Sequence, residues 1–197
     1  MTTRPNAMLT AVILGVVALV AAAFGQTPPA QQTPPGQTPP PPGQTFKVGL
    51  PGKDWTLAMD LPGFLLERQD TRPDGATAML MAHNDATGMT VFAYVTREPK
   101  DRSVDECKRH YWGLTASSPF RKDDVHQVTK GEMLAVHFVI PELQGRPIRQ
   151  KNVIAYLYRD GTCMDVHLTK GPYDRQADEP LFSAVLDSIR IVPGEMR

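Results

Sequence analysis

The octapeptide "MTVFAYVT", residues 89–96, is bulky on both sides of any extended backbone. Side chains alternate between the faces of a strand. Met89, Val91, Ala93 and Val95 then point one way, and Phe92 and Tyr94 the other. A strand that is apolar on both faces has to be covered on both faces. A sheet with two covered sides is therefore the minimum this chain must build.

Other segments supply strands and cover. A strand at Trp55–Met59 runs into a turn at Pro62-Gly63. The runs "FLLERQD" and "ATAMLMAHN" read as two strands joined by the turn former "RPDG", residues 72–75, and "NDATG" turns the chain into the octapeptide. A helix follows, with Ser103 and Glu106 as a capping box and Asp105 near the positive end of its dipole. Val104, Cys107, Tyr111 and Leu114 fall at the spacing of a buried stripe, with Lys108 and Arg109 outside it. Four strand-like runs come next: "DVHQVTK", "EMLAVHFVI", "NVIAYLYR" and "CMDVHLTK". Asp160-Gly161 joins the last two as a tight hairpin. A closing helix is expected to start at a cap on Asp178, with Pro180 in its first turn and Leu181, Phe182, Val185, Leu186 and Ile189 facing inward. The order predicts an α+β domain, a mainly antiparallel central sheet flanked by helices.

The first 45 residues stand apart. After Arg4, "AMLTAVILGVVALVAAAF" carries no charge and ends in small residues, the pattern of a secretory signal peptide with cleavage after Ala23 or Gly25. At about 18 residues the run also approaches the ~20 that span a bilayer, so an uncleaved N-terminal membrane anchor is the alternative for residues 1–25. Residues 26–45 repeat Gln-Thr-Pro-Pro from Gln26, Gln32 and Gln37, with no aliphatic or aromatic side chain larger than Ala30 to bury. Such a segment favours polyproline II at about 3.1 Å per residue, a semi-rigid Pro/Gln/Thr-rich linker. Residues 46–197 then form a single globular domain of an exported protein, periplasmic or extracellular.

Charge excludes several functions. Lys and Arg total 21 against 21 Asp and Glu, and the signs are interspersed. No basic block marks a nucleic-acid partner. No GxxxxGK[ST], GxGxxG or HExxH motif is present, and no cofactor is indicated. Membrane contact is expected only through the N-terminal segment.

The stretches "WTLAMDLPGF", "MTVFAYVT", "NVIAYLYRDGTCMDVHLTK" and "LFSAVLDSIRIV" together resemble the PsbP-like superfamily, over residues 46–193. Its members include the extrinsic photosystem II subunit, a small Ran-binding nuclear-import factor and exported bacterial proteins of unknown role. The resemblance implies a central antiparallel sheet between helices. It implies no function, because members differ in what they do.

Cys107 and Cys163 are the only cysteines. An even count in an exported chain points first to a disulfide, with two buried thiols or a reactive or metal-binding cysteine as alternatives. Cys107 makes a poor nucleophile: it lies on the buried stripe and follows two acids that oppose a thiolate. His110 completes Cys-x-x-His, yet a tetrahedral zinc site needs two further ligands. In "CMDVH", Cys163, Asp165 and His167 share one strand face, but Cys163 and His167 stand about 13 Å apart, too far for a nucleophile–base pair. Asp165 and His167, joined by His137 from a neighbouring strand, are the ligand-site candidates, while His83 and His126 show no convincing partners in sequence. The expectation is a non-enzymatic exported binding or assembly module of the cell envelope, its partner an unknown envelope protein or small ligand. The alternative is a small metal-binding protein or hydrolase that uses the Asp165, His167 and His137 face.

Overall fold

A computed structural model of the chain describes residues 43–98, 100 and 102–194. The expected signal or anchor segment, and the linker up to residue 42, lie outside the described residues. The octapeptide forms β5 (Met89–Arg97), and it is indeed covered on both sides. It belongs to a seven-stranded antiparallel sheet of β3 (Leu65–Thr71), β4 (Thr77–Asn84), β5, β6 (Asp123–Lys130), β7 (Met133–Leu143), β8 (Arg146–Arg159) and β9 (Thr162–Lys170). The spatial order is β3-β4-β5-β9-β8-β7-β6, so β9, the strand of "CMDVH", is central. Asp160 and Gly161 between β8 and β9 both adopt positive φ, 48° and 69°, as a two-residue primed turn requires.

A second, three-stranded sheet of β1 (Thr45–Val48), β2 (Trp55–Asp60) and β10 (Arg190–Pro193) was not expected. Its outer strands are four residues long, too short to show a period. Gln44 and Thr45, assigned in sequence to the linker, belong to the fold: the Gln44 carbonyl accepts from Leu61 N–H, and Thr45 opens β1.

One core joins the two sheets. Val91, Ala93, Val95, Val153, Met164 and Val166 from the large sheet meet Val48, Trp55, Leu57 and Met59 from the small one. Helix α2 (Arg175–Ser188) closes this side with Phe182, Val185 and Leu186. It starts earlier than the sequence suggested. Asp174 is the cap, its carboxylate accepting from the N–H groups of Gln176 and Ala177. Asp178 answers from the next turn by accepting from Asp174 N–H at 2.8 Å, so Pro180 lies inside the helix rather than in its first turn. The opposite face of the large sheet carries helix α1 (Val104–Ala116). Ser103 Oγ accepts from Glu106 N–H as expected, and the Glu106 carboxylate reaches back to Arg102 N–H.

The stripe on α1 needs one correction. Leu114 is 40% exposed; Trp112 packs instead, edge-on to Phe138 with ring centroids 5.5 Å apart. Cys107 is the one fully buried residue of the helix. Truncation should reveal the difference. Phe182→Ala is expected to cost about 3–5 kcal/mol of unfolding free energy, and Leu114→Ala no more than about 0.5 kcal/mol, both read from urea denaturation.

Candidate functional site

Strand β9 lies at the middle of the large sheet because β5 and β8 pair with it on either side. Cys163, Asp165 and His167 point to the face that carries α1. Cys163 is joined there to Cys107, with Cα atoms 5.7 Å apart, so neither sulfur serves as a nucleophile or ligand. His110 is exposed and stacks on Tyr111 at 4.7 Å.

Asp165 lies between two tyrosines, opposite Tyr94 of β5 and Tyr156 of β8. The residue is half-buried, but its Oδ1 is sealed from solvent and has no hydrogen-bond partner; the same holds for the hydroxyl of fully buried Tyr156. Burial pushes the Asp165 carboxyl up to about 7. Burial, and then the nearby Asp165, raises the Tyr94 hydroxyl to about 12 and raises Tyr156 as well. Tyr111 of α1 is raised chiefly by burial and donates to Glu98 Oε1 at 2.9 Å.

His167 belongs to a separate polar patch. Its Nε2 lies 3.0 Å from Asn152 Oδ1, which also accepts from Gln150 Nε2 at 3.2 Å. Gln150 Nε2 further donates to Thr169 Oγ1 at 2.5 Å, and Asn152 Nδ2 to the Gln150 carbonyl at 3.2 Å. Because Asn152 Oδ1 can only accept, His167 carries its proton on Nε2. Burial lowers its pKa to about 4, keeping it neutral.

His137 does not join Asp165 and His167. It lies on β7, separated from β9 by β8, and on the opposite face of the sheet. Its register partner is Val153, which pairs in turn with Leu168 of the core-facing set. The expected three-residue face is therefore corrected: alternation along each strand divides it between two sides. Among the described residues, no group of three or more His, Cys, Asp or Glu is placed to hold a metal ion.

On its own side His137 lines a cleft of about 270 Å³ between β6, β7 and α2. It is 9% exposed, and its Nδ1 is buried without a partner. His126 lies directly opposite it on β6 and stacks over its ring at 4.8 Å and 20°. His126 Nδ1 donates to the Asp124 carbonyl at 2.8 Å. Burial first, then the charges of Lys151 and His126, lower His137 to about 4. Two ion pairs tie α2 to the sheet beside the cleft, Lys151–Glu179 at 3.0 Å and Lys130–Asp187. The His126–His137 pair was missed, yet its signal is in the sequence. Counting outward from the two-residue Gly131–Glu132 turn places the two histidines opposite each other. His83 also gains partners from the fold, with carboxylates of Glu67 and Asp85 at 2.8 and 3.2 Å. An apolar recess of about 300 Å³ flanks the other side of α2, lined by Phe64, Met89, Leu181 and Val185 among others.

No protein-family model and no curated protein sequence matches the chain. Among solved structures it is similar to cyanobacterial PsbP (CyanoP) from Synechocystis sp. PCC 6803, at 9% identity and a TM-score of 0.51, covering 82% of this chain and 99% of that one. It is also similar to the Saccharomyces cerevisiae Ran-binding protein Mog1p, at 11% identity and a TM-score of 0.46, covering 75% of this chain and 95% of that one. The chain thus has a PsbP-like fold, and at such identity the likeness concerns the fold alone.

The buried groups oppose each other in pH dependence. Folded Asp165 keeps its proton up to about pH 7, whereas an unfolded aspartate loses it near 4, so its contribution falls as pH rises through that window. His137 and His167 stay neutral down to about 4 when folded and take up protons near 6.5 when unfolded, so theirs rises with pH. Two histidines outweigh one aspartate. Stability should rise by about 1.4 kcal/mol per pH unit between roughly pH 4.5 and 6. Asp165→Asn should double that slope, measured from urea midpoints; equal slopes in the two proteins would refute the assignment.

Proposed function

We propose that this chain is an exported, non-enzymatic binding or assembly module of the cell envelope, displayed on a Pro-rich stalk. The observation that carries this reading is the Cys107–Cys163 cross-link between α1 and β9. Structural disulfides form and persist in oxidising compartments and are rare in a reducing cytosol. The apolar run at residues 7–24 and the proline-rich repeat after it support the same location. Binding is supported by the two recesses beside α2, each close to the lower end of the size range of small-ligand sites. The cleft with His137 is the polar one and suits a small polar ligand or a partner's side chain. The reading assigns no reaction to the chain.

Intact mass spectrometry of the full-length chain, recovered from the envelope fraction of a bacterial host, tests this. Both cysteines should resist alkylation until a reductant is added, and the mass should lack residues 1–23 or 1–25 or retain them as an anchor. Two freely alkylated thiols in native protein recovered from the cytosol would overturn the proposal.

A further inference from the structure

Strand β6 is weakly anchored. It is an edge of the large sheet, paired to β7 alone, and every residue after Asp123 is exposed, including Val125 and Val128 at 50% and 45%. With no apolar side chain of its own buried, β6 is held by polar contacts. Its ladder to β7 is regular only from His126 to Lys130. On the α1 side Lys108 Nζ donates to Gln127 Oε1 at 2.8 Å. On the α2 side it has the Lys130–Asp187 ion pair and the His126–His137 stack. An element with few buried apolar contacts and exposed backbone bonds opens at a lower free energy than the core. The stack also closes the cleft: His126, Val128 and Lys130 form one wall, Glu179 and Asp187 of α2 stand opposite, and His137 comes from β7.

We propose that the His126–His137 stack is an acid-sensitive latch: proton uptake by the pair releases β6 from α2 and opens the cleft to solvent. The closed stack has no place for a proton on His137. Its Nδ1 is buried without a partner, and the two rings lie 4.8 Å apart and nearly parallel, so that a second charge would face the first. Burial opposes a proton on His137 most, followed by Lys151 of β8 and His126 of β6, while Glu179 of α2 favours one. Glu179 is already engaged by Lys151 at 3.0 Å, and Asp187 by Lys130, so neither carboxylate is left to neutralise the ring. Closed, His137 stays neutral down to about 4; in water an imidazole takes its proton near 6.5. The latch is therefore fully closed above 6.5 and weakens as pH falls from there to about 4, the opening constant rising roughly tenfold per unit. Below 4 both forms carry the proton, and His137 drives no further opening. The latch goes beyond the proposed function and holds whatever the cleft takes.

Amide hydrogen exchange of the full-length chain at pH 7 and pH 5, with the disulfide intact and protection normalised to the intrinsic rate at each pH, tests it. The amides that bond β6 to β7 should lose protection roughly twentyfold between the two pH values. They should exchange through a local opening, insensitive to low urea, while β8 and β9 stay protected. His137→Phe keeps an aromatic ring in the stack but takes up no proton, so its β6 protection should change by less than about twofold over the same interval. His137→Gln, smaller and equally unable to charge, should give the same flat profile and separates the proton from the packing of the ring. The proposal is overturned by β6 protection that is the same at both pH values in the unmodified chain. It is overturned equally by an undiminished pH dependence in both variants, or by β6 exchanging only together with β8 and β9.

Discussion

The Cys107–Cys163 bond holds the one helix described on its face of the large sheet, and the chemistry of that face depends on it. Helix α1 has 13 residues and buries only Cys107 completely. A helix of that length is marginal by itself and is normally kept in place by packing. Here the packing is thin: Val104, Tyr111 and Trp112 are half-buried, and Leu114 faces solvent. Closing a loop across 56 residues of sequence contributes about 4 kcal/mol in the chain-entropy model. That is comparable with burying two large side chains. The cross-link therefore stands in for the apolar contacts this helix lacks.

What the helix covers explains the unusual state of the floor beneath it. Burial raises the pKa of Asp165. Tyr156, next to it, keeps an unpartnered hydroxyl. Such groups are tolerated when the surrounding fold over-determines their position. The other face is organised differently. There a single apolar core is shared by two sheets and α2, and the polar residues His137, Lys151 and Glu179 gather at one margin, beside β6 and β7. One strand period, applied to β7, β8 and β9 together, sorts the histidines and the aspartate into these two environments.

Much of this was legible from the residues. The two-sided "MTVFAYVT", the Asp160-Gly161 hairpin and the Ser103 cap each follow from local chemistry and hold in the fold. The small sheet was not legible, because four-residue strands such as "TFKV" and "RIVP" carry too little period to stand out from loops. The start of α2 was misplaced because Asp174 and Asp178 are both capping residues by type. Only the fold shows that one caps the first turn while the other braces it. For the site, knowing that β9 presents Cys163, Asp165 and His167 together required only alternation. Placing His137 required the strand order, a long-range property that no local pattern encodes. The His126–His137 stack lay between these cases, readable by counting back from a two-residue turn.

Amide hydrogen exchange across residues 104–116, with the Cys107–Cys163 bond intact and after its reduction, tests most directly whether the cross-link retains α1. The account expects reduction to remove protection from α1 selectively, while β8 and β9 keep theirs through the shared core on their other face. Unchanged protection in α1, or an equal loss throughout the domain, would contradict it.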